Sequence, residues 1–160
     1  MLHFGAMAPT SGRPLFIASD HAGIDLKSAI QAAIPGPWVD LGPTTRESVD
    51  YPDFASALCK KLASVDSPAA PALGVLICGS GAGMCIAANR HPEIRAVLAT
   101  NPAAARLARE HNHANVLCLG ARFTAEPYAA EIVRAWLEAK PTHEARHLAR
   151  IQKLQGGDSQ

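Results

Sequence analysis

Short apolar runs alternate along the chain with longer segments whose apolar residues recur every three or four positions. The runs are 14–18 (PLFIA), 38–41 (WVDL), 73–77 (LGVLI), 94–99 (IRAVLA) and 116–119 (VLCL). Their length and β-branched content predict strands, and 73–77, apolar throughout, is expected to be buried on both faces. The amphipathic segments between them predict helices over 24–33, from about 51 to 64, through 84–89, over 103–110 and over 125–139. Strands alternating with helices give an α/β fold, a parallel sheet covered by helices on both faces. Pro141 breaks the fifth helix, and a final amphipathic helix is expected over 142–154. Residues 67–71 (SPAAP) read as a linker.

The polar breaks fall where ligands of open α/β sheets bind, beyond the carboxyl ends of strands. Ser19-Asp20-His21-Ala22-Gly23 follows the first strand, and Cys78-Gly79-Ser80-Gly81-Ala82-Gly83 follows the third. Three glycines in five residues let the backbone turn sharply and aim several N–H groups at one spot, a small anion cradle. Cys78 sits at a strand end facing a helix N-terminus, a setting that favours thiolate, and is a candidate base or nucleophile. A buried packing cysteine fits the same position. The loop is not a Walker loop, because no lysine follows its last glycine, and its glycine spacing and mid-chain place differ from the dinucleotide fingerprint. Asp20 suits a helix N-cap as well as chemistry, and His21 an exposed loop histidine.

On the final helix His143, Arg146, His147 and Arg150 fall three or four residues apart and share a basic face, with Leu148 and Ile151 off that stripe and expected to pack. Such a face is either solvated or carried into a neighbouring subunit's site. His143 and His147 have metal-ligand spacing, but no third ligand is evident.

Composition narrows the partners. The length is that of one domain with a real core; 1–12 read as a flexible extension, 13–154 as the domain and 155–160 as a disordered tail. A net charge of +1 argues against a general nucleic-acid binder. No apolar run reaches the length of a membrane span, and 1–12 lack the charged start and apolar core of a signal peptide. Cys59, Cys78, Cys85 and Cys118 lie in apolar contexts without metal-ligand spacing, as in a protein of the reducing cytoplasm.

Several motifs taken together resemble one family. Ser19-Asp20-His21-Ala22-Gly23, Asp50-Tyr51-Pro52, Ile77-Cys78-Gly79-Ser80-Gly81 with Ala87-Ala88-Asn89, Ile94-Arg95-Ala96, and His111-Asn112 followed by Asn115-Val116-Leu117 resemble the type B ribose-5-phosphate isomerases. Their superfamily also holds the galactose-6-phosphate isomerase subunits. The resemblance covers about 14–151 in matching order. It implies a Rossmann-like three-layer αβα sandwich with a five-stranded parallel sheet and an extra C-terminal helix. It also implies a homodimer or dimer of dimers with active sites at the subunit interface. The implied reaction interconverts ribose 5-phosphate and ribulose 5-phosphate through an enediolate, with neither metal nor organic cofactor; pentose-phosphate metabolism is the default setting and a sugar-catabolic operon the alternative. Isomerases of allose 6-phosphate, galactose 6-phosphate or a tetrulose phosphate, and a non-catalytic phosphosugar binder, are the alternatives.

By the same resemblance, Asp20 and His111 open the furanose ring, with the Ser80 hydroxyl close by. Cys78 takes the carbon-bound proton. Another branch of the family uses a glutamate just after the last glycine, where this chain has Met84, a residue that cannot accept a proton. The amides of Gly79, Gly81, Ala82 and Gly83 and the side chain of Asn112 are the expected enediolate donors. His21, Arg122, Arg146 and Arg150 are the expected phosphate ligands, arginine being suited to forked contacts with phosphate oxygens. The loop over 42–49 is a further candidate for lining the site.

Overall fold

A computed structural model describes residues 13–65 and 71–156. The expected extension, residues 67–70 of the expected linker and the last four residues of the expected tail lie outside these. Five strands, β1 (Leu15–Ser19), β2 (Trp38–Asp40), β3 (Leu73–Cys78), β4 (Ala96–Leu98) and β5 (Val116–Gly120), form one sheet in the order 2-1-3-5-4. Every pairing is parallel. Six helices accompany them: α1 (Ile24–Ala33), α2 (Tyr51–Val65), α3 (Ala82–Ala88), α4 (Pro102–Asn112), α5 (Glu126–Glu138) and α6 (Ala145–Leu154).

The two-residue period of the strands divides the interior into two cores. Leu15, Ile17, Leu73, Val75, Ile77, Leu117 and Leu119 face one way and pack with Ile30 of α1, Ala105 of α4 and Trp136 of α5. Phe16, Ala18, Leu76, Cys78 and Cys118 face the other way and pack with Leu58 and Cys59 of α2 and Met84 of α3. Both faces of β1, β3 and β5 are therefore buried, which is why these runs carry no polar alternation. The expected three-layer α/β sandwich is thus the observed architecture. Among the described residues no helix is long and apolar enough to cross a membrane.

Two elements differ from the pattern-based expectation. β4 is shorter than expected, Ala96–Leu98; just before it the Arg95 amide donates to the Asn115 side chain (2.8 Å). α6 starts at Ala145, not at 142. The Thr142 amide donates to Glu110 O of α4 (2.9 Å) and Thr142 O lies 2.7 Å from His113 Nε2, so tertiary bonds hold that stretch out of the helix. α6 packs on α4, beyond the sheet. Its buried residues are His147 and Ile151, one turn apart, while Leu148 is exposed. His147 therefore belongs to the packing face and not to the solvated stripe.

Candidate active site

In the order 2-1-3-5-4 the winding reverses between β1 and β3, β2 being added on one side of β1 and the later strands on the other, so the crevice at their carboxyl ends is the expected ligand site. Both polar loops singled out from the sequence end there, tied by the Asp20 amide donating to Ile77 O (2.9 Å). Asp20 Oδ1 accepts from the amides of Ala22 (2.9 Å) and Gly23 (3.1 Å), the N-cap geometry that a short acidic side chain provides. Both bonds use Oδ1, which leaves Oδ2. His21 Nδ1 accepts from the Val49 amide (3.3 Å), so the neutral ring carries its proton on Nε2. The 42–49 loop thereby reaches the site, as expected.

The Cys78 side chain is 4% exposed and packs in the core beneath α2 and α3, as the packing alternative anticipated. Its sulfur nonetheless turns toward the loop: the Gly81 amide donates to Sγ at 3.1 Å. Ser80 Oγ accepts from the Ala82 amide at 3.3 Å. Two of the expected cradle donors therefore serve the thiol and the hydroxyl within the loop.

The loop's glycines answer to steric needs that the sequence alone did not reveal. Gly81 has φ of +78°, the left-handed region that favours glycine. A Cβ on Gly79 would lie 3.0 Å from Arg122 Cζ, so the Arg122 guanidinium rests directly on the loop. A Cβ on Gly83 would lie 2.7 Å from the Tyr51 ring. Tyr51 is thus a wall of the loop; its signal in the sequence was the Asp50-Tyr51-Pro52 helix start, to which no role had been given. Phe123, next to Arg122, is 79% exposed at the same edge.

The remaining predicted residues lie elsewhere. Cys78 pairs with Gly120 at the end of β5, whereas α4 ends at Asn112, before β5 begins at Val116. Four residues of strand separate these levels by about 13 Å along the sheet. His111 and Asn112 thus belong to the amino edge, together with α6 and its exposed Arg146 and Arg150. Arg146 Nε donates to Glu144 Oε2 (2.8 Å), an exposed pair that a stronger anion can displace. The His111 ring is stacked on the His147 ring, centroids 4.2 Å apart. His143 meets His113 edge-on at 6.0 Å. One chain therefore gathers Asp20, His21, Cys78, the glycine loop and Arg122 at one edge, and His111, Asn112, Arg146 and Arg150 at the other.

A family model described as Ribose/Galactose Isomerase matches residues 15–154. The chain belongs to the ribose/galactose isomerase family. Ribose-5-phosphate isomerase B of Escherichia coli is 38% identical over 138 residues, covering 84% of this chain and 89% of that protein. Among solved structures, ribose-5-phosphate isomerase B of Mycoplasma genitalium with bound ribulose 5-phosphate aligns with a TM-score of 0.83 at 39% identity, over 91% of this chain and 95% of that one. The Clostridium thermocellum ribose-5-phosphate isomerase B also aligns at 0.83 and 39% identity, over 89% and 95%. This member of the ribose/galactose isomerase family has the expected enzyme class, a sugar-phosphate isomerase.

The other thiols of this isomerase are expected to differ in reactivity. Burial pushes the Cys59 thiol up to about 12 and Cys118 well above its ordinary value. A hydrogen bond from Cys118, assisted by Leu98 and Asn89 and opposed by burial, brings half-buried Cys85 down to about 7. Brief alkylation near neutral pH followed by peptide mass spectrometry is expected to label Cys85 well before Cys59 and Cys118, since the thiolate is the reacting form. Equal labelling of the three would contradict this ordering.

Proposed function

We propose that this isomerase interconverts D-ribose 5-phosphate and D-ribulose 5-phosphate through an enediolate, at a site completed by a second copy of the chain. The observation that carries this reading is the division of the motif residues between the two edges of the sheet. The carboxyl edge holds a thiol, an acid and an amide-rich loop; the amino edge holds a histidine, a carboxamide and two exposed arginines. Neither half suffices for the reaction, and a two-fold pairing of copies joins each half to its complement.

At the joined site Asp20 Oδ2 and His111 act on the ring oxygen and the anomeric hydroxyl, the acid and base that ring opening requires. The Cys78 thiolate then removes the proton from C2 of the aldose. The electron pair moves into the C1–C2 bond and the carbonyl oxygen becomes an oxyanion. The loop amides that do not serve Cys78 Sγ or Ser80 Oγ, together with the Asn112 side chain, stabilise that oxyanion with dipoles already in place. A proton passes from the C2 hydroxyl to the C1 oxygen, and return of the thiol's proton to C1 leaves the carbonyl at C2, which is the ketose. Met84, fully buried, supplies no competing base. His21 Nε2–H, Arg122, Arg146 and Arg150 hold the phosphate. No step calls on a metal or an organic cofactor. The four free cysteines fit a reducing cytoplasm.

Incubating the wild-type protein with ribose 5-phosphate in deuterated water tests the reading. Ribulose 5-phosphate with deuterium at C1 is expected, and a phosphosugar binder would give neither product nor exchange. Arg146→Ala is expected to raise KM for ribose 5-phosphate by roughly tenfold with a smaller change in kcat, because the lost contact is made to substrate and transition state alike. A selective loss of kcat would remove Arg146 from phosphate binding.

A further inference from the structure

His147 is 6% exposed, although its neighbours Arg146 and Leu148 are exposed. The position it fills, one turn before buried Ile151, is one where a leucine would pack without cost. An imidazole there is expensive. Its Nε2 is buried with no hydrogen-bond partner, and the nearest acid, Glu144 Oε2, stands 3.9 Å away, beyond hydrogen-bond reach. What the imidazole offers and a leucine lacks is a flat face. That face lies parallel to the His111 ring, within 9° at 4.2 Å.

His111 needs such a wall. It sits in the last turn of α4, just before His113 leaves the helix in the left-handed conformation (φ 49°). A half-buried ring at a helix end has two freely rotating bonds unless something fixes its plane. We infer that His147 is the positioning residue for His111, fixing the ring plane of the ring-opening histidine and locking it to the helix that carries Arg146 and Arg150.

This rests on the reading of His111 given above. Burial first, then His111 and Arg146, with Arg150 adding and Glu144 opposing, hold the His147 imidazole below the ordinary histidine range. Together these favour the neutral form of the wall, so that His111, when it carries a proton, faces a neutral ring and not a second cation. Because Arg146 and Arg150 flank His147 on α6, the stack also sets the spacing between the ring-opening group and the phosphate anchors.

The test separates ring opening from proton transfer. Ribose 5-phosphate is a closed furanose that must be opened; ribulose 5-phosphate is open-chain, so its C1 hydrogen exchanges with deuterated solvent without that step. His147→Leu nearly keeps the buried volume but loses the flat face; His147→Phe keeps a flat face in a somewhat larger side chain. His147→Leu is expected to lower kcat for ribose 5-phosphate at least tenfold, on the order of the loss that small misplacements cause. Deuterium exchange into ribulose 5-phosphate is expected to stay near the wild-type rate, and His147→Phe to restore aldose turnover. Wild-type aldose turnover in His147→Leu, or equal loss of both reactions in both variants, would overturn the inference. Absence of exchange in the wild-type protein would instead overturn the reading of the reaction itself.

Discussion

Cys78→Ala is expected to lower kcat for ribose 5-phosphate by about 10²–10⁴-fold, the usual contribution of a positioned base, with KM little changed. The loss falls chiefly on chemistry because the sulfur has no part in holding the phosphate. Its neighbours at the carboxyl edge, Arg122 and His21, are fixed independently, by contact with Gly79 and by the Val49 amide. The same substitution removes the acceptor of the Gly81 amide, so some loosening of the loop accompanies the loss of the base. Cys78→Ser separates the two effects. It keeps an acceptor for that amide but supplies a hydroxyl too weakly acidic to serve as base, and is expected to be as inactive as the alanine variant with the stability of the wild type. Wild-type turnover in either variant, measured by steady-state kinetics, would take the base away from this residue.

The second large effect is expected at Gly120→Ala. A Cβ there would lie 2.6 Å from Ser80 O and 2.8 Å from Ser80 C, both backbone atoms of the cysteine loop. A flexible side chain can move aside; two backbones in contact cannot. Relief requires the loop to shift relative to β5, and β5 is held to β3 through the pairing that ends at Cys78 and Gly120. The expected cost is about 1–3 kcal/mol of stability, the range for overpacking a tight site. Turnover should fall by about 10²-fold, since sub-ångström placement of the amides and the thiol is what the loop provides. Thermal unfolding and kinetics on the same preparation check both. Gly156→Ala is the contrast: φ there is positive, unlike at Gly120, but the added Cβ would meet no atom within 4 Å, so activity should be untouched.

Much of this arrangement was legible in the sequence, for identifiable reasons. β1, β3 and β5 are buried on both faces, so unbroken apolar runs marked them, and Asn101-Pro102 marked the start of α4 because the Asn101 side chain caps the Ala104 amide (2.8 Å). The two polar loops were visible because each follows directly on an unbroken apolar run, at the strand end where ligands of open α/β sheets bind. The start of α6 was not legible, since the bonds that hold Thr142 extended come from α4, some thirty residues away in sequence. His147 was assigned to the basic stripe for a related reason. Spacing gives the angle around a helix but not which flank meets a neighbour, and the neighbour here is His111. Glycine content suggested a cradle of free amides, yet Sγ of Cys78 and Oγ of Ser80 accept from two of them, and the closeness of Arg122 and Tyr51 explains two of the glycines. The division of the motif residues between the two edges follows from the parallel topology, which no single motif carries.

That division is open to a direct measurement. Cys78→Ala and His111→Ala, each inactive alone, are co-expressed with different tags and the mixed assembly is purified through both. If each site takes Cys78 from one copy and His111 from another, the mixed pair holds one intact site and one doubly altered site. Turnover of the mixed pair should then recover to about half that of the wild-type pair. No recovery in a mixed pair that has assembled would mean that both residues act within one chain, and the two-copy site would be wrong.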